Sequence, residues 1–199
     1  MRVIGITGGI CSGKSTVTRV LKDAGVHILD ADKLGHKAYE PGTSCFNKLV
    51  QHFGESIVDE KREIDRRVLG SLVFSDPAKM QELQSIVWPE IRVLILSNLD
   101  ELKAQDVRTV ALEAAVMIEA GWYDIVSTLW VVTVKREVAL KRLMARNGLS
   151  EEDALKRINA QISNEERCDH ADLVIDNSNE NSIESLEEKV RSAYDNMVR

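Results

Sequence analysis

One stretch near the N-terminus constrains this chain more than any other part of it. Residues 8–16 read Gly-Gly-Ile-Cys-Ser-Gly-Lys-Ser-Thr, which matches the phosphate-loop pattern G-x-x-x-x-G-K-[ST] without a mismatch from Gly8 to Ser15. The preceding residues 3–7 are a β-branched apolar run typical of a buried strand, and residues 17–24 carry apolar side chains at helical spacing. A strand, a glycine-rich loop and a helix N-terminus therefore follow one another in the order that phosphate binding requires.

The residue types in this loop are those that a nucleoside triphosphate needs. Gly8 and Gly13 let the backbone curl so that its N–H groups point at an anion, and the helix dipole adds partial positive charge. Lys14 supplies a point charge for the β- and γ-phosphates, and the Ser15 hydroxyl is placed to ligate Mg²⁺. The predicted nucleotide-binding residues of the loop are Gly8, Gly9, Ile10, Cys11, Ser12, Gly13, Lys14, Ser15 and Thr16.

Charge and composition narrow the class of protein built around this loop. The 199 residues are 44% hydrophobic and 29% charged, as expected for one ordinary soluble domain with insertions. A net charge of −6 argues against nucleic acid as a partner, and the longest uncharged apolar stretch, residues 125–134, is too short to span a bilayer. The apolar run at the N-terminus breaks at once into glycines and Lys14, so we expect no secretory signal.

The cysteines point to a reducing compartment. Cys11, Cys45 and Cys168 are odd in number, widely spaced and in no C-x-x-C pair, which fits neither a disulfide framework nor a zinc site. We therefore expect a cytoplasmic protein. We separately expect it to be a monomer or weak homo-oligomer.

Five apolar runs that alternate with helical patterns predict a five-stranded parallel sheet with helices on both faces. Together with the phosphate-loop motif, this fits a P-loop NTPase three-layer sandwich. The strands are expected at residues 3–7, 26–32, 107–113, 128–134 and 171–176. We interpret residues 1–199 as a single P-loop kinase domain. Its core comprises residues 1–30, 106–141 and 170–199, with a helical substrate-binding insertion at 31–105 and a helical lid at 142–169. Within these parts, Trp88-Pro89 is expected to start a helix, and residues 164–170 to form a polar, mobile segment.

Two carboxylates stand at the predicted end of the second strand. In open α/β sheets ligands bind at the carboxyl ends of strands, so Asp30 and Asp32 lie at a functional location. If the strand persists, both side chains project to the same side, because the side-chain period of a strand is two. Alternatively, one of them caps a helix that begins near Lys33. The two roles are compatible.

The helices on either side of residue 148 are rich in basic residues, which fits a lid that closes over phosphates. Arg142 and Arg146 lie one turn apart on the first of them, so a closing lid could bring both against a triphosphate. The alternative is that the same spacing simply exposes both arginines to water.

Together these motifs resemble the dephospho-coenzyme A kinase family over essentially the whole chain. The residues that carry the resemblance are the loop, Asp30-Ala31-Asp32, Glu40-Pro41-Gly42, residues 66–74, Trp88-Pro89, residues 115–119, Arg142 with Arg146, Gln161 with Arg167, and residues 171–177. The loop alone is generic, but its combination with the later motifs is specific. Residues 35–39 and 119–122 look closer to the kinase domain of eukaryotic bifunctional CoA synthase.

This resemblance implies transfer of the γ-phosphoryl group of ATP to the ribose 3′-hydroxyl of dephospho-CoA, the last step of coenzyme A biosynthesis. It implies Asp32 as the catalytic base, and Asp30 as the group that orients the ribose or Mg²⁺-bound water. The further implied residues are Lys14, Arg142 and Arg146 as catalytic cations, Asp176 and Asn177 beside the adenine, and Asp30, Asp32, His36, Arg66 and Glu119 as substrate-binding residues.

The sequence departs from the family pattern at four places. Cys11 replaces a usual loop glycine, His36 stands where many bacterial members have arginine, Trp88 replaces a common histidine, and residues 113–115 replace a common Asp-x-Pro. The alternatives are another small-molecule P-loop kinase, such as a nucleoside or nucleoside-monophosphate kinase, and a nucleotide-dependent switch. A switch fits less well, because the chain lacks an N-K-x-D motif and carries the arginine-rich lid that turnover needs.

Overall fold

The computed structural model describes residues 1–178 and 183–198 and divides into two compact units. The first unit comprises Met1–Leu29 and Asp106–Arg199, and the second comprises Asp30–Gln105. Across the described ranges, none of the helices combines the length and the apolar character that crossing a membrane would require.

The first unit is built on a five-stranded sheet. Its strands are β1 (Arg2–Gly8), β2 (His27–Asp30), β3 (Thr109–Glu113), β4 (Thr128–Thr133) and β5 (Leu173–Asp176). They lie in the order β2-β3-β1-β4-β5, with β1 paired in parallel to both β3 and β4, and β4 paired in parallel to β5. The predicted parallel sheet with helices on both faces is confirmed. The strand that carries the phosphate loop, β1, is central in this order.

The described helices are α1 (Lys14–Asp23), α2 (Ala31–Ala38), α3 (Ser44–Phe53), α4 (Arg66–Phe74), α5 (Pro77–Ala104), α6 (Arg136–Asn147), α7 (Glu151–Asn159), α8 (Asn164–Cys168) and α9 (Ile183–Val198). The first unit contains α1 and α6–α9, and the second contains α2–α5. In the first unit, Ile4 and Ile6 of β1 pack with Val20 and Leu21 of α1 and with Val190 of α9. Burial of each such side chain contributes about 1.5–3 kcal/mol, so the strand and the helix that flank the phosphate loop are held firmly together.

The second unit is organised around α5, which contacts α2, α3 and α4. This helix begins at Pro77 after the N-cap residue Asp76 and continues through Pro89 to Ala104. The expectation that Trp88-Pro89 starts a helix is therefore wrong. A proline removes one backbone hydrogen bond, but Val87 and Ile91, on either side of it, are both buried, so packing sustains the helix across the gap.

Candidate functional site

The loop between β1 and α1 requires glycine at two positions. Gly8 has φ +155°, and a Cβ there would lie 2.3 Å from the carbonyl oxygen of Val132. Gly13 has φ +104°, and a Cβ there would lie 2.4 Å from Nδ2 of Asn177. Both distances are shorter than real Cβ contacts. A Cβ at Gly8 would meet backbone and cannot be accommodated, whereas a Cβ at Gly13 would displace the side chain of Asn177 and add strain at a positive φ. The two glycines thus bracket a tightly curled segment, as the sequence predicts.

The first turn of α1 is open to an anion. No side chain caps this helix at its N-cap residue Gly13, and no acidic residue lies in its first turn. Nζ of Lys14 donates to the carbonyl oxygens of Gly8, at 2.8 Å, and Gly9, at 3.3 Å, so its charge lies across the loop. The hydroxyl of Ser12 is buried and finds no hydrogen-bond partner among the described residues. Uncapped N–H groups, a cation and an unsatisfied hydroxyl together form a cradle that suits a phosphate.

Two polar side chains lie on the side of the loop formed by Cys11 and Ser12. Nδ2 of Asn177, just after β5, donates to the carbonyl oxygen of Ser12 at 2.8 Å. Nη1 of Arg142 on α6 donates to the carbonyl oxygen of Cys11 at 3.4 Å, and its Nη2 to that of Asn177 at 3.2 Å. The structure therefore brings Arg142 and Asn177 to the phosphate loop.

Two other residues assigned to this end of the site are directed elsewhere. The carboxylate of Asp176 accepts from the backbone N–H and the hydroxyl of Ser178. Arg146 is exposed, and its Nε donates to Asn147 of the same helix at 2.9 Å. Of the two arginines assigned to the lid, Arg142 contacts the phosphate loop, whereas Arg146 follows the solvent-exposed alternative in this structure.

A third group of side chains approaches the loop at Gly9 and Ile10. Oε1 of Gln161 accepts from the backbone N–H of Ile10 at 2.8 Å. Arg167 is only 2% exposed, and its Nη1 donates to the carbonyl oxygen of Ile162 at 2.7 Å. Burial lowers the pKa of Arg167, an effect that electrostatic attraction to Glu119 opposes.

Gln161 and Arg167 belong to the motifs that carry the family resemblance, but the resemblance implied no role in the site for either residue. The sequence also predicts a polar, mobile segment at residues 164–170, whereas α8 occupies Asn164–Cys168 and Ser163 caps it. The polar composition concealed that Arg167, on this short helix, is buried. The sequence did contain one signal for these two residues, because Gln161 and Arg167 lie close together in a segment that resembles a family motif.

In the second unit, Asp30 and Asp32 have different environments. The strand β2 ends at Asp30, and α2 begins at Ala31, so the expectation of a strand to residue 32 is wrong. Oδ1 of Asp30 accepts from the backbone N–H of Lys33 at 3.1 Å, and Oδ2 lies 3.2 Å from Nζ of Lys33. This confirms the helix-cap alternative for Asp30. Asp32 is exposed in the first turn of α2.

The second unit also holds a small cleft of about 160 Å³ that contains two of the residues assigned to the substrate, His36 and Arg66. The guanidinium of Arg66 lies over the ring of Tyr39, 5.3 Å from the ring centroid. Burial raises the pKa of Tyr39 to about 12, so its hydroxyl stays neutral near pH 7. Glu119, assigned to the same role, belongs instead to the first unit.

The described residues contain no group of three or more His, Cys, Asp or Glu side chains that could hold a metal ion. Mg²⁺ commonly binds through one or two protein oxygens together with water and substrate phosphates. The exposed Ser15 hydroxyl at the start of α1 fits that requirement, and Glu113, whose backbone is in register with Ile6 of β1, ends the neighbouring strand. These oxygen groups fit Mg²⁺ that enters with a nucleotide rather than a metal held by a protein cage.

Comparison with known proteins gives a consistent match. A family model described as dephospho-CoA kinase matches residues 2–183. A dephospho-CoA kinase from Carboxydothermus hydrogenoformans is 43% identical over 188 residues, which cover 94% of this chain and 90% of that protein. The structure is similar to a dephospho-CoA kinase from Campylobacter jejuni, with a TM-score of 0.73, 27% identity and coverage of 99% and 98% of the two chains. It is also similar to a crystal structure from Thermus thermophilus, with a TM-score of 0.80, 37% identity and coverage of 98% and 97%.

Proposed function

The chain belongs to the dephospho-CoA kinase family, and from this premise we propose how its residues carry out the reaction. The enzyme transfers the γ-phosphoryl group of ATP to the 3′-hydroxyl of the ribose of dephospho-CoA, which yields coenzyme A and ADP. The observation that carries the proposal is the open phosphate cradle, in which the first turn of α1 has no side-chain cap and Lys14 lies across the loop.

The loop binds the triphosphate through its backbone N–H groups and through Lys14. When Mg²⁺ is bound it neutralises charge on the phosphates, and the Ser15 hydroxyl is the residue that would hold it. Asn177 and Arg142 lie at the Cys11–Ser12 side of the loop, and this supports a place for the adenosine part of ATP beside them. Phosphoryl transfer depends mainly on positioning and charge stabilisation, which these groups supply.

Asp32 accepts the proton of the ribose hydroxyl as the bond to phosphorus forms. The position of Asp32 supports this role, because the residue is exposed in the first turn of α2, where a substrate can reach it. Asp30 serves as the N-cap of the same helix through the backbone N–H of Lys33. A base of this kind contributes about 10²–10⁴-fold to the rate.

The cleft of the second unit receives an anionic part of dephospho-CoA. Arg66 offers a charge oriented by the ring of Tyr39, and His36 lines the same cleft. We further expect a cytoplasmic enzyme that acts as a monomer or weak homo-oligomer and binds no nucleic acid, because the net charge of −6 provides no general basic field.

The experiment that tests this function is ADP release from Mg²⁺–ATP with and without dephospho-CoA. We expect release to depend on dephospho-CoA and to fall by about 10²–10⁴-fold for Asp32→Asn. Asp30→Asn is the matched control, since asparagine also caps helices, and its kcat should stay much closer to wild type. Faster turnover with a nucleoside or a nucleoside monophosphate than with dephospho-CoA would overturn the assignment of the acceptor.

A further inference from the structure

Arg167 is buried without acceptors for two of its nitrogen atoms. Its side chain is 2% exposed, yet Nε and Nη2 have no hydrogen-bond partner within the described part of the chain. Nη1 donates to the carbonyl oxygen of Ile162. A guanidinium stays protonated in proteins, so its burial leaves two donor nitrogens that call for an acceptor. Nε and Nη2 lie along one edge of the guanidinium, the edge that grips two oxygens of a phosphate in a fork.

Arg167 also lines a cleft that lies against the phosphate loop. The cleft has a volume of about 390 Å³, and Gly9, Ile10, Gln161 and Arg167 are among the residues that line it. Nη1 of Arg167 lies 3.4 Å from the position that a Cβ on Gly9 would occupy, and Oε1 of Gln161 lies 3.6 Å from it. Arg167 therefore approaches the loop backbone itself rather than a neighbouring surface.

Lys14 indicates which part of a nucleotide this cleft would meet. Its Nζ contacts the carbonyl oxygens of Gly8 and Gly9, so it lies at the same end of the loop as Arg167. The lysine of a phosphate loop serves the β- and γ-phosphates. Arg142, in contrast, contacts the loop at Cys11. The cleft thus lies at the end of the loop that serves the terminal phosphates.

We propose that Arg167 and the backbone N–H of Ile10 form the subsite for the γ-phosphoryl group, and that the Gln161 carboxamide oxygen occupies this N–H until the nucleotide arrives. This inference rests on the proposed function. A γ-phosphoryl oxygen replaces Oε1 of Gln161 at Ile10, and two oxygens accept from Nε and Nη2 of Arg167. During transfer the ribose oxygen bonds to phosphorus, the bond to the bridging β,γ-oxygen breaks with its electron pair leaving on ADP, and the ribose proton passes to Asp32. Arg167 stabilises the charge on the transferred group.

The test compares ATP and ADP binding by calorimetry with Mg²⁺ and no acceptor, because only ATP carries the γ-phosphoryl group. Arg167→Lys should weaken ATP binding by about tenfold or more, since a bidentate charge-assisted contact is lost, while ADP affinity stays within about twofold. With dephospho-CoA present, kcat should fall by about 10³-fold, as for other arginines that touch the transferred group. The matched control is Arg157→Lys, an exposed arginine of α7 that should keep wild-type values.

Gln161 gives a second test that does not alter the buried arginine. Gln161→Glu keeps an oxygen acceptor for Ile10 but adds negative charge beside the subsite, so it should weaken ATP at least tenfold more than ADP. Gln161→Met removes the competing acceptor and should leave ATP affinity equal to or higher than wild type. If Arg167→Lys does not fold, as its melting curve will show, the two Gln161 variants decide the matter.

An unchanged ratio of ATP to ADP affinity in Gln161→Glu, or in a folded Arg167→Lys, overturns the subsite. Equal weakening of both nucleotides does the same and assigns Arg167 a structural role. The ratio of ATP to ADP affinity is measured without dephospho-CoA. A changed ratio therefore supports the γ-phosphoryl subsite even if the wild-type protein fails to phosphorylate that acceptor. Conversely, acceptor-dependent ADP release with an unchanged ratio keeps the proposed function and rejects the subsite.

Discussion

Replacing Gly13 with alanine tests whether the phosphate loop and the residue after β5 are held together as the structure describes. The new Cβ would lie 2.4 Å from Nδ2 of Asn177, so Asn177 must move and release its hydrogen bond to Ser12. The left-handed backbone, at φ +104°, adds strain of about 1–2 kcal/mol for any residue with a Cβ. Loss of the hydrogen bond adds about 1 kcal/mol, which gives a total of about 2–3 kcal/mol.

Thermal denaturation monitored by circular dichroism measures this cost. At about 2–4 °C per kcal/mol for a chain of this length, Tm should fall by about 4–12 °C. Gly25→Ala is the matched control, since Gly25 has φ +84° but nothing lies within 4 Å of its Cβ position. Gly25→Ala should therefore lower the free energy of unfolding only by the backbone strain, about 1–2 kcal/mol.

A double variant isolates the contact. In an Asn177→Ala background the obstructing Nδ2 is absent, so adding Gly13→Ala should cost about what Gly25→Ala costs, within roughly 0.5 kcal/mol. If Gly13→Ala costs no more than Gly25→Ala in the wild-type background, the packing of Asn177 against the loop is refuted.

Three further predictions concern the nucleotide. Lys14→Ala should remove phosphoryl transfer with little change in Tm, and turnover near the wild-type rate would contradict the loop assignment. In a thermal-shift assay, Mg²⁺–ATP at 100 times its Kd should stabilise the wild type by about 2.7 kcal/mol and the variant by less. In steady-state assays, Arg142→Lys should lower kcat at least tenfold, because a guanidinium that contacts the loop is replaced by a point charge, whereas the kcat of Arg146→Lys should stay within about twofold of wild type. A larger loss for Arg146→Lys than for Arg142→Lys would show that Arg146 reaches the nucleotide. Cys11 lies half-buried in the loop, and mass spectrometry should show that iodoacetamide alkylates it more slowly when ATP is bound. Cys45 should stay unmodified, because burial raises the pKa of its thiol to about 11. Equal labelling of Cys11 with and without ATP would contradict its place at the nucleotide.

The site was predictable from the sequence wherever local geometry alone dictates the residue. Gly8 and Gly13 have the positive φ angles that the curled loop requires, so the local pattern identifies them without knowledge of the rest of the fold. The atoms that a Cβ would meet there, on Val132 and Asn177, are known only from the tertiary structure. The alternation of apolar runs with helical segments likewise predicts the parallel sheet, because both faces of such a sheet must be buried.

Secondary-structure boundaries were less predictable where local preferences compete. The expected strand through Asp32 stops at Asp30, because the Asp30 side chain accepts from the backbone of Lys33 and thereby favours the start of a helix. The expected helix start at Pro89 failed for the opposite reason. Proline locally disfavours a helix interior, but burial of the apolar residues on both sides of Pro89 stabilises the continuous helix. This burial cannot be seen in a short window of sequence.

By itself the sequence determined the phosphate loop, the parallel sheet and the family, since each depends on residue types at fixed spacing. Only the tertiary structure decided which long polar side chains reach the loop. Arg142 and Arg146 look equivalent in a helical pattern, yet Arg142 contacts Cys11 and Arg146 faces its own helix. Arg167 lies in a segment that reads as solvated, yet it is buried beside Gly9. The direction of a flexible side chain depends on partners more than a hundred residues away in the chain, and folding brings those partners into reach.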